Sequence, residues 1–173
     1  INITAPIDLT AALPVGSYPL GVFDVSGRTI DLGGNKITAS NFTLIFEGSS
    51  FTLKNGSFDS NGGSYALFIG DEAGADNVLL EELTLTGGLN VYNSSNVVLR
   101  NVNITADAYY AIWCDENTEV TVESGTFAAS DESTAVLGMV QSEDYPAELT
   151  VNGGDFAANE KKMVLDNGDT NTP

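Results

Sequence analysis

Apolar residues recur along this chain in one short pattern: apolar, any, apolar, four variable positions, apolar. It reads Ile30, Leu32, Ile37 in TIDLGGNKI and Phe51, Leu53, Phe58 in SFTLKNGSF. It returns as Val78, Leu80, Leu85, then Val97, Leu99, Ile104, then Val120, Val122, Phe127, then Leu149, Val151, Phe156. Alternation rich in Val, Ile, Phe and Thr is a strand signal, and no helical period competes with it over most of the chain. The copies start at 30, 51, 78, 97, 120 and 149, so they lie 19 to 29 residues apart. Leucine-rich and ankyrin arrays hold a tighter period. A β-helix coil keeps its strands constant while its corner loops vary.

The variable gap carries small polar residues, as in KNGS, ESGT and NGGD. Asn and Gly tolerate positive backbone angles, so each gap predicts a tight bend between two short strands. A further strand follows each copy, at 41–46, 65–70, 89–93, 109–114, 134–140 and 162–166. One coil cannot bury its own apolar row. Coils stacked about 4.8 Å apart can, by pairing backbones and placing like residues in files. Two files are expected in the core: Leu32-Leu53-Leu80-Leu99-Val122-Val151 and Ile37-Phe58-Leu85-Ile104-Phe127-Phe156. The predicted fold is all-β, a single-stranded right-handed parallel β-helix of about six to seven coils. Residues 1–29, with Pro6, Pro14 and Pro19, form a cap or extended first coil. Residues 30–166 form the coils, and 167–173 a polar tail.

The fragments GRTIDLGGNKIT, TVESGTFAAS and PVGSY (14–18) resemble the pectin-lyase-like superfamily of right-handed parallel β-helices over roughly residues 14–166. Stretches such as LTVNGGDFAA are also similar to repeats of large surface and adhesin-like proteins of bacteria. The resemblance implies a fold more than an activity, because that superfamily includes enzymes, tailspikes and inert stalks. Its polygalacturonase-like members carry paired aspartates, a Gly-His-Gly and an Arg-x-Lys. This chain has no Asp-Asp, no histidine and no Arg-x-Lys. The lyases use calcium-holding acids beside a proton-abstracting Arg or Lys. Here Arg100, on a core strand near Glu81 and Glu82, reads first as a structural ion pair.

Composition narrows the function classes. Twenty-four acids against six Lys and Arg give a net charge of -18, which repels phosphate backbones and anionic membranes. A single cysteine, Cys114, makes no internal disulfide framework. No run of 18 apolar residues is present, so no membrane insertion by a helix is expected. No cofactor is implied. Calcium is the one candidate ion, and the acidic loop holding Asp71, Glu72 and Asp76 is its candidate site, since calcium takes carboxylate and carbonyl oxygens. Sequons at Asn2, Asn41, Asn55, Asn93 and Asn103 follow from Asn-rich turns and are assigned no glycan.

If Val91 and Ile112 point inward, alternation turns Tyr92, Tyr109 and Trp113 outward, with Phe68 joining them if Leu67 is inward. The opposite phase buries Tyr109 and Trp113 and exposes Tyr110 and Cys114. Outward aromatic faces beside Asp115 and Glu116 suit a sugar, whose apolar ring faces stack while carboxylates hold its hydroxyls. Two readings follow. One is a non-catalytic, secreted or cell-surface module, adhesin-like, glycan-binding or a spacer. The other is a polysaccharide-active lyase or hydrolase working through carboxylates, which need no histidine.

Overall fold

A computed structural model describes residues 1–10, 21–39, 44–140 and 142–166. The PVGSY segment, residues 40–43 at the start of one expected strand (with the Asn41 sequon) and the polar tail lie outside these. Among the described residues there are seventeen strands, every named pair of them parallel, and no helix. They form a parallel β-helix about six turns long.

Each coil lays one strand on each of three faces. Face 1 holds Gly21–Asp24, the first part of Leu44–Asp59, Tyr65–Ile69, Gly88–Val91, Ile112–Cys114, Ala135–Met139 and Lys162–Asp166. Face 2 holds Thr29–Asp31, the middle of Leu44–Asp59, the first half of Ala75–Thr86, Ser94–Arg100, Thr118–Val122 and Ala147–Val151. Face 3 begins with Ile7–Asp8 on Lys36–Thr38. It continues through 56–59, 83–86, Val102–Thr105, Gly125–Ala128 and Asp155–Ala157. The opening residues are therefore built into the first coils through Ile7–Asp8 and Gly21–Asp24.

The file Ile37-Phe58-Leu85-Ile104-Phe127-Phe156 forms residue for residue. So does Leu53-Leu80-Leu99-Val122-Val151, but its first member is Ile30 and not Leu32. Asp31 pairs with Lys54 and Lys36 with Ser57, so the first coil has two more residues in this corner than the next. Leu32 stays fully buried by tucking into the corner against Gly56, where a Cβ would lie 2.3 Å from the leucine Cβ. The shift is by two residues, so the faces are preserved. Burial also fades at the last coil: Val151 is 46% exposed, and Leu149 and Phe156 are half-buried. These residues have a covering coil on one side only among the described residues.

The corner between faces 2 and 3 turns on Asn55, Glu82 and Asn101, stacked in register with φ of 58°, 52° and 54°. Just before it, facing outward, runs a row of alternating charge: Asp31, Lys54, Glu81, Arg100, Glu123. Arg100 bonds Glu123 at 2.7 Å and Glu81 at 3.5 Å, and Lys54 lies 3.7 Å from Asp31.

Candidate functional site

Face 1 carries the chemistry. Along its strands Leu67, Leu89, Ile112 and Leu137 point inward in one file, and Ile69, Val91 and Cys114 in another. The file between them, Phe68-Asn90-Trp113-Gly138, therefore points outward. Trp113 is half-buried and Cys114 fully buried, which fixes the phase of the strand. Burial, and then the charge of Asp115, push the Cys114 thiol up to about 12, so it is an inert core group.

Aromatic rings lie over this outward file. Tyr110 stacks on Trp113 at 4.8 Å and 20°. Tyr65 meets Phe68 edge-on at 5.3 Å and stacks with Tyr109 at 6.4 Å. Glycines provide the seats. A Cβ on Gly138 would come within 2.6 Å of both Trp113 and Tyr110, and one on Gly88 within 2.8 Å of Tyr65. Tyr109 and Tyr110 reach the sheet on the segment 106–111, so the strand expected over 109–114 forms only at Ile112–Cys114, with Tyr109 in an isolated bridge to Ser133. The segment's ends are tied by Ala106 N–H to the Ala128 carbonyl and Ala111 N–H to the Val136 carbonyl, both 2.9 Å. Burial, then the neighbouring Tyr110, Asp115 and Tyr109 groups, raise the Tyr65 hydroxyl far above its ordinary range. Burial raises that of Tyr110.

The structure divides the expected binding residues. Trp113 and Tyr109 lie over face 1. Tyr92 and Asp115 follow the paired residues Val91 and Cys114, so they adjoin each other at the corner toward face 2, one step from the outward file. Trp113's neighbour on the preceding coil is thus Asn90, where a continuous aromatic row would have placed Tyr92. Glu116 shares that corner, its carbonyl accepting from Asn93 N–H at 2.8 Å and its own N–H bonded to Asp115 Oδ1. Tyr65 and Asn90 were not picked out in the sequence. Asn90 was within reach there, because it alternates between Leu89 and Val91.

The acidic loop behaves differently. Asp76 accepts from Ser95 Oγ at 2.6 Å and Asn77 Nδ2 at 2.5 Å. Asp71 and Glu72 contribute their backbone carbonyls, to Gly74 N–H and Asn93 Nδ2. Among the described residues no three acidic, thiol or imidazole groups converge to hold a metal ion. A groove of about 320 Å³ runs here, lined by Gly74, Asp76, Asn93, Ser95 and Asn117 among others and by no aromatic residue.

The coils, their right-handed family and this outward surface meet in one assignment. The chain matches the family described as the right handed beta helix region over residues 17–172, and it belongs to that family. The fold is the one shared by the pectin-lyase-like superfamily. No curated protein and no solved structure matches the chain.

Proposed function

We propose that this β-helix domain is a non-catalytic, glycan-binding module of a secreted or cell-surface protein, and that face 1 is its binding surface. The carrying observation is the half-exposed Trp113, stacked on Tyr110 in an outward file with Phe68, beside the Tyr65–Tyr109 pair and Asp115. Flat rings seated on a rigid sheet present apolar area at little entropic cost, and adjacent carboxylates and hydroxyls supply directional bonds. The non-catalytic part is supported by the state of the basic groups. Arg100 is held between two carboxylates, and Glu123 first, then Glu81, raise its pKa further. Lys36 is paired with Asp59 at 3.0 Å and Lys54 with Asp31. Between its two carboxylates Arg100 is therefore held in its charged form.

The test is an oligosaccharide panel titrated with and without calcium. Trp113→Ala should weaken the glycan that binds by about 1–3 kcal/mol, roughly five- to 150-fold in Kd, with the fold intact by circular dichroism. Unchanged affinity in folded Trp113→Ala would overturn the assignment of face 1. Loss of binding on chelation, with Trp113→Ala silent, would move the site to the Asp71, Glu72 and Asp76 loop. New reducing ends appearing during incubation would replace the module by the enzyme.

A further inference from the structure

Asn90 sits in the middle of the outward file, with Phe68 on the coil before and Trp113 on the coil after. The rings of Tyr65 and Tyr110 pack against those two neighbours. Asn90 is only 6% exposed, and its Oδ1 has no hydrogen-bond partner among the described residues. A buried amide oxygen left unpaired is unfavourable, and native proteins keep very few. A leucine of similar size would fill the same space without that cost. A second irregularity lies beside it. Tyr109 holds a φ of 55°, a conformation rare for a bulky residue, and the residue is 53% exposed. Backbone strain of this kind gathers at ligand sites and moving segments. The strained turn belongs to the 106–111 segment that brings Tyr110 onto Trp113. An unpaired acceptor and a left-handed tyrosine thus occur on one face, the tyrosine carbonyl held by Thr134 and Ala135 N–H at 2.7 and 3.1 Å.

We propose that Asn90 is the specificity-determining residue of this surface, its Oδ1 accepting from a hydroxyl or amide N–H of an uncharged sugar ring seated on Trp113. This rests on the glycan-binding reading and goes further in naming the ligand class and the atom that reads it. The sugar lies on the part of the indole that Tyr110 leaves open, and it supplies the donor Oδ1 lacks. Charge selects in the same direction: a chain of net charge -18, with Asp115 at the adjoining corner, disfavours uronate or sulfated sugars.

Trp113 is the only tryptophan, so its fluorescence reports on this spot alone. Hexasaccharides of neutral xylan, mannan, glucan and chitin are titrated against the full chain by fluorescence, with a polygalacturonate hexamer alongside. One or more neutral hexamers should perturb Trp113 emission and bind at least about tenfold tighter than polygalacturonate. Asn90→Leu should lose about tenfold in affinity for that neutral sugar, while the melting temperature of the free protein holds or rises. Should Asn90→Leu fold poorly, Asn90→Ala removes the same acceptor and is judged by affinity alone. Unchanged affinity in the Asn90 variant, with Trp113→Ala defective, overturns this inference and leaves the glycan-binding reading standing. Tighter binding of polygalacturonate also overturns it. If no hexamer binds the wild-type chain, the reading beneath it fails as well.

Discussion

Leu99 shows what one core residue does in this architecture. It stands fourth in a file between Leu80 and Val122 and is fully buried, with coils stacked on both sides. Truncation opens a cavity that neighbours on two coils cannot close without losing their own pairing. Leu99→Ala should therefore cost about 2–5 kcal/mol in urea unfolding. A change under about 1 kcal/mol would mean that the file does not carry the core. At this scale the sequence was legible wherever strict alternation held. Alternation offered two phases for the strand around Trp113, and the one with Val91, Ile112 and Cys114 inward and Trp113 outward forms. It was illegible where chain left the strand. Leu32 keeps its inward face yet slips two positions because the Gly33-Gly34 corner is longer than its counterpart. Tyr110 packs on Trp113 from a loop, where side-chain direction has no period to read.

At the scale of the strand and its corner, stacking makes each corner comparable with the ones above and below. Asn55, Glu82 and Asn101 occupy one corner position on successive coils, all left-handed. Asparagine enters that region more readily than other side chains, and glutamate has no such advantage. The Asn-Gly composition of the gaps announced these bends, but Glu82 was read for its charge. The ion pair falls to Glu81, one residue earlier, with Glu82 exposed at the turn. Glu82→Asn should stabilise the domain by about 0.5–1 kcal/mol, raising the urea midpoint with the slope unchanged. The reverse change, Asn101→Glu, should lose a similar amount. If Glu82→Asn were destabilising, some contact of the Glu82 side chain would outweigh its backbone strain.

Across the whole molecule, stability is set by how many neighbours each coil has. A β-helix is close to one-dimensional, each coil touching only the next, so local stability follows position along the stack. Val97, Leu99 and Ile104 are essentially inaccessible, whereas Val151 and Val164 are about half exposed and Phe156 is half-buried, stacked on Phe127. Amide exchange should accordingly be slowest in Ser94–Arg100 and Val102–Thr105. It should be faster by orders of magnitude in Ala147–Val151 and Asp155–Ala157. Net charge gives a competing account, since 24 acids against six cations repel one another throughout the chain. Salt separates the two. Screening should raise protection broadly, because exposed charges interact over about 10 Å at 0.1 M and less at higher salt. The gradient from middle to end should survive, because it comes from burial and not from charge. Equal protection in the middle and last coils would mean that the stack unfolds as one unit. A gradient abolished by salt would assign it to repulsion.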